Sequence, residues 1–152
     1  MLHQGGRKRV CRKENRDGLS IAGRPGIFPC MRFSPDQFEG NRISAYATGQ
    51  ITVNEEVITG SVIITSDKII RDWLPVSFAA LEAVHIARLD ELQPEIILIG
   101  TGRTLHFPSP AATGEFLARG IGVEVMDTRA ACRTYNILLS EGRRVVAALL
   151  LE

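Results

Sequence analysis

Glu95-Ile96-Ile97-Leu98-Ile99 runs apolar from Ile96 to Ile99 and halts at Gly100-Thr101-Gly102. A strand with one wet face alternates apolar and polar side chains. An unbroken run of isoleucine and leucine reads instead as a strand buried on both faces. Downstream, Pro108 and Pro110 lead into a helix expected over residues 111–119, ended by Gly120. Val123-Glu124-Val125-Met126 reads as a second strand. Asp127 or Thr128 caps a helix running to Leu139, Glu141-Gly142 turns the chain, and Arg144 to Leu151 forms a last strand. The order is β-α-β-α-β. Strands alternating with helices of this length need crossover connections and at least a partly parallel sheet.

Upstream the punctuation is denser. Ile43-Ser44-Ala45-Tyr46, Ile51-Thr52-Val53 and Val62-Ile63-Ile64-Thr65 are strand-like, separated by Thr48-Gly49, Asn54-Glu55, Thr59-Gly60 and Ser66-Asp67. Short strands with turn signals between them predict antiparallel hairpins. Lys68 to Trp73 is a further strand candidate, closed off by Pro75. Between Phe78 and Leu92, Leu81, Val84, His85 and Leu89 fall near helical spacing and predict one or two short helices.

The 152 residues suffice for one domain with a real core. Three scattered cysteines (Cys11, Cys30 and Cys132) form no C-x-x-C pair and fit a reducing compartment, so a cytoplasmic location is expected. Fifteen arginines against three lysines hint at a GC-rich bacterial coding sequence. No apolar run reaches the roughly 20 residues of a membrane helix, so no direct membrane insertion is expected. Residues 1–30 hold seven basic residues against two acidic ones, whereas residues 31–152 hold eleven against fifteen. The first segment reads as a disordered basic tail, with Met31 a candidate true start, and residues 31–152 as a single α/β domain. The acidic balance of the domain argues against nucleic-acid binding.

Ile99-Gly100-Thr101-Gly102, then Met126-Asp127-Thr128 followed by Arg133-Thr134-Tyr135-Asn136, and finally Glu141-Gly142-Arg143-Arg144-Val145 with Ala147-Ala148-Leu149, carry a resemblance. Over residues 31–152 the chain resembles a small domain-of-unknown-function family. That family includes mitochondrial complex I assembly factor three, the adipogenesis-associated domain protein and many stand-alone bacterial and archaeal domains. The resemblance implies a three-layer α/β fold around a central mixed sheet. It implies no established reaction. Together with the lack of an acid/base, metal or nucleotide constellation in the sequence, it leads to the expectation of a non-enzymatic interaction or assembly role with an unidentified protein partner, which the resemblance links to respiratory complex assembly.

Candidate chemistry concentrates where strands give way to helices. Gly100-Thr101-Gly102 is G-x-G after a buried strand, but Leu105 stands where a dinucleotide fingerprint needs its third glycine. A turn requiring positive φ is the plainer reading. Parallel strands would bring Gly100, Thr101, Gly102 and Arg103 beside Asp127, Thr128 and Arg129 at one carboxyl edge, where open α/β sheets take ligands. Gly100 and Gly102 would admit a close backbone approach, the opening helix would offer unpaired N–H groups, and Asp127 would orient Arg103. This defines a candidate ligand or partner site, and a second functional reading in which the domain binds a small molecule or anion there, or acts on one. Asn136, further along the same helix, completes the candidate set. Arg129, Arg133 and Asn136 share one helix face, expected to be solvated, while Ala131, Tyr135 and Leu138 should face the sheet. Cys132, with His85 or His106, shows no spacing that demands a catalytic pair or a metal site. No catalytic residue, metal or cofactor is expected. His106, in a loop, is the better placed histidine for a site.

Overall fold

A computed structural model of the chain describes residues 40–152. The reading of residues 1–30 as a basic tail lies outside the described residues. Eight strands fall in chain order: β1 (Ile43–Ala47), β2 (Gln50–Val53), β3 (Glu56–Ile58), β4 (Val62–Ile64), β5 (Ile69–Ile70), β6 (Ile96–Thr101), β7 (Gly122–Met126) and β8 (Val145–Leu150). The helices are α1 (Ala83–Ala87), α2 (Pro110–Ala118) and α3 (Thr128–Ser140), with 3-10 turns at Phe78–Ala80 and Arg88–Leu92.

Three of the four turn signals make hairpins, at Thr48-Gly49, Asn54-Glu55 and Ser66-Asp67, whereas Thr59-Gly60 carries the chain from one sheet to another. β1, β2 and β3 form an antiparallel three-stranded sheet turning at Thr48-Gly49 and Asn54-Glu55. The other five strands make one mixed sheet in the order β5-β4-β8-β6-β7. β6 runs parallel to both β7 and β8, while β4 is antiparallel to β8 and to β5. The unbroken apolar run has its cause in this arrangement. Ile97, Leu98 and Ile99 are fully buried, Leu98 in the core beneath α3 and its neighbours in the core beneath α2.

Those two cores separate three layers. On one face lie α3 and the small sheet, packed through Ala131, Cys132, Tyr135, Ile51 and Val53. On the other lie α1, α2 and the 3-10 turns, packed through Ile86, Leu89, Phe116 and Trp73. Tyr135 is wholly buried, and its hydroxyl donates to the Asn41 carbonyl at 2.8 Å, so the polar tip of the ring is satisfied.

Two expectations are corrected. The strand anticipated over residues 68–73 survives only at Ile69–Ile70, because Trp73 leaves the sheet to bury its ring in the core with Ile86 and Leu89. In the segment 78–92, Ile86 and Leu89 take the buried positions, whereas Val84 points outward. His85 is spent locally: its Nδ1 accepts from the Glu82 N–H at 3.0 Å, completing a capping box.

Candidate functional site at the carboxyl end of the sheet

β6 leads into α2 on one face of the sheet, and β7 leads into α3 on the other. Adjacent parallel strands whose connections depart to opposite faces leave a crevice between their carboxyl ends. Gly100, Thr101, Gly102 and Arg103 lie on one side of it and Asp127 and Thr128 on the other, as the parallel reading required.

Hydrogen bonds then close the crevice. The Gly102 N–H donates to Thr128 Oγ1 at 2.9 Å, and the Thr128 N–H donates to the Gly102 carbonyl at 2.9 Å. The Thr128 hydroxyl in turn donates to the Leu150 carbonyl at 2.6 Å, tying the ends of β6 and β8 to the start of α3. Gly102 has φ +92°, the left-handed conformation that glycine adopts without steric cost. Gly100 is glycine for another reason: a Cβ there would sit 2.9 Å from Leu149 Cδ2 and 3.1 Å from Thr128 Cα. The Thr101 hydroxyl accepts from the His106 N–H at 3.1 Å and lies 2.8 Å from the Thr104 carbonyl, which folds the loop back on itself.

The amides of the opening turn are therefore largely engaged, contrary to expectation. Besides Thr128, Ala130 N–H donates to Asp127 Oδ1 at 2.9 Å and Ala131 N–H to the Asp127 carbonyl at 3.0 Å. Asp127 caps the helix and makes no ion pair with Arg103 among the described residues. Arg103 stands exposed at the rim of an open pocket of about 440 Å³ that it shares with Thr101, Thr104, His106 and Glu152.

The candidate residues divide between two places. Arg129 and Asn136 are absent from this rim and line a groove between α3 and β1 instead. Asn136 is not on a solvated face: its amide bonds the backbone of Ile43. Cys132 is buried, and desolvation pushes its thiol up to about 12, away from the thiolate that nucleophilic chemistry needs. Among the described residues no group of three His, Cys, Asp or Glu side chains is placed to hold a metal ion.

Sequence reasoning overlooked the apolar surroundings of the pocket. The Phe78 ring stacks on His106 with centroids 5.0 Å apart, and Phe78 N–H donates to Glu152 Oε1 at 2.7 Å. Leu105 and Phe107 flank His106, and Val76 lies two residues before Phe78. Their exposures are 49%, 72% and 75%. The signal was present in Leu105-His106-Phe107, an apolar pair around a loop histidine, but not the distant Phe78 that completes it.

Taken together, the fold and this sealed edge define a small three-layer α/β domain. A solved Bordetella pertussis Mth938-like domain shares 34% identity with a TM-score of 0.65, covering 73% of this chain and 85% of that one. The chain belongs to the family described as Protein of unknown function (DUF498/DUF598), which matches residues 43–150. A crystal structure from Bordetella parapertussis aligns with TM-score 0.70 and 40% identity over 74% of this chain and 97% of that chain. The Xenopus tropicalis protein named NADH dehydrogenase [ubiquinone] 1 alpha subcomplex assembly factor 3 is 30% identical over 78% of this chain, and the match spans 66% of its length. Among the described residues no helix is long and apolar enough to cross a membrane.

Proposed function

We propose that this chain is an assembly-factor-like interaction domain that holds a protein partner at the carboxyl end of its mixed sheet. The observation that carries the reading is the Phe78–His106 stack with exposed Leu105 and Phe107 on either side of His106 in the chain and exposed Val76 two residues before Phe78, and with Arg103 and Glu152 lining the pocket beside His106. Exposed aromatic and aliphatic side chains ringed by charge are the usual anatomy of a protein-binding patch. The name of the amphibian relative supplies the partner class, a component of respiratory NADH dehydrogenase.

The test is genetic and biochemical together. Disrupting the gene should lower the amount of mature NADH dehydrogenase on native gels, and the parent chain should restore it. A Val76→Asp, Phe107→Asp double variant should fold, because both side chains face solvent, yet fail to restore the complex. Full restoration by that variant overturns the reading. A second reading, in which Gly100–Arg103 and Asp127–Arg129 serve a small molecule or anion, has the open pocket beside Arg103 in its favour. It predicts that Arg103→Ala loses function while the apolar double variant keeps it.

A further inference from the structure

We propose that the groove between α3 and the outer edge of β1 holds an extended acidic peptide by strand addition. This surface is distinct from the carboxyl-end patch, and the proposal stands whether or not that patch binds a partner.

β1 is the terminal strand of the three-stranded sheet and pairs with β2 alone. Its other side presents backbone groups to the groove. Asn136 shows this directly: its side-chain carbonyl accepts from Ile43 N–H at 3.1 Å and its amide nitrogen donates to the Ile43 carbonyl at 2.7 Å. One side-chain amide thus makes the two bonds that a neighbouring strand would make. Past Ile43, the edge Ser44–Tyr46 lines an open pocket of about 280 Å³ and has no strand partner on that side among the described residues. An unpaired edge of this kind is a template for an added strand.

The facing wall selects the occupant. Arg129 and Arg133, one turn apart on α3, line that pocket. A second pocket of about 220 Å³ adjoins it at Asn136 and is lined by Arg42, Ile137, Leu139 and Ser140. No carboxylate lines either pocket, and none of the three arginines makes an ion pair among the described residues. The domain has more acidic than basic residues, so three unpaired guanidiniums along one groove mark it for an acidic partner. Ile137 and Leu139 offer a seat for one apolar side chain. The arginine pair and the apolar seat lie about 10 Å apart along the helix, at roughly 1.5 Å per residue. An extended peptide covers that distance in about three residues. Side chains on one face recur every second residue, so the recognised pattern is an acidic residue with an apolar one two or four positions away.

The test uses the full chain and a fluorescein-labelled octapeptide alternating Glu with Val and Leu, read by anisotropy and by backbone amide shifts. Saturable binding is expected, with shifts at Ser44–Tyr46 and along α3. A peptide with Lys in place of Glu should not bind. The Arg129→Ala, Arg133→Ala double variant, whose melting should match the parent because both side chains are exposed, should bind about tenfold more weakly or worse. N-methylating alternate backbone nitrogens should abolish binding, since it removes the edge hydrogen bonds and leaves the charges. Equal affinity for the double variant, or shifts confined elsewhere, overturns the proposal. Undiminished binding of the N-methylated peptide overturns strand addition. Inorganic phosphate saturating the same residues and displacing the peptide would make this a small-anion site instead.

Discussion

Gly102 and Thr128 hold each other by reciprocal bonds: each donates its backbone N–H to an oxygen of the other, both at 2.9 Å. The pair joins the end of β6 to the start of α3 across the crevice where related architectures seat ligands. Because Thr128 is fully buried and also bonds Leu150, the clasp is structural in the first instance.

Thr128→Val keeps the shape of the side chain and removes the hydroxyl, leaving the Gly102 N–H and the Leu150 carbonyl buried without that partner. A loss of about 1–3 kcal/mol is expected, the cost of an orphaned buried polar group. Thr128→Ser should retain most of the stability. Urea unfolding followed by circular dichroism measures both, and an unchanged midpoint for the valine variant would show the clasp to be idle.

Two glycine replacements should move stability in opposite directions. Gly100→Ala forces a methyl to within 2.9 Å of Leu149 Cδ2 and 3.1 Å of Thr128 Cα, which should cost about 1–3 kcal/mol. At Gly114, on α2, a Cβ meets nothing within 4 Å, so Gly114→Ala should stabilise by about 0.5–1 kcal/mol through helix propensity. Thermal melts of the two variants side by side read the contrast.

The Cys132 thiol should resist alkylation at about pH 8 in the folded protein and react once urea unfolds it. Burial raises its pKa from an ordinary 9.0 to about 12, and burial also raises the pKa of Tyr135. Both groups are neutral in the fold. The unfolded chain releases their protons first as pH climbs, so their stabilisation is complete below pH 9 and is lost progressively above it. Stability measured from neutral pH into this alkaline range should fall, with a shallower slope for Cys132→Ala. A flat profile in the parent would contradict the burial of these groups.

Arg103→Ala and Asp127→Ala separate binding from folding at the carboxyl edge. Arg103 is exposed and unpaired with Asp127, so its replacement should leave the melting curve unchanged while abolishing whatever binds at that rim. Asp127→Ala removes the bond to Ala130 N–H and should cost about 1 kcal/mol of helix capping. If Arg103→Ala binds every partner as the parent does, the loop is only a turn.

Local signals carried far in this chain. The run 96–99, the breaks at Gly102, Gly120 and Gly142, and the cap at Asp127 located strands and helices because each is decided by neighbours in sequence, although β6 runs on through Gly100 to Thr101 before it stops. β3 went unnoticed between two recognised turns, since three residues are too few to display a period. What the sequence could not display is which distant groups meet. The two strand-end loops were paired correctly because the handedness of a crossover dictates it. Asn136 instead meets Ile43 across 93 positions, and Phe78 meets His106 through a loop whose path no local pattern records. The helix face expected to be wet is for that reason a groove wall, and a loop histidine is part of an aromatic stack.

β8 occupies the middle of the mixed sheet although it is the last strand of the domain, with Val62 set against Leu149 on one side and Ile97 against Val146 on the other. In folding, β4 and β6 must wait for the neighbour they share. Without Val145–Leu150 in place, two apolar strands keep one edge each unpaired, the kind of edge that templates aggregation. The mixed sheet therefore cannot be completed before Val145–Leu150 is available, and until then the edges of β4 and β6 that β8 covers are open to wrong pairing.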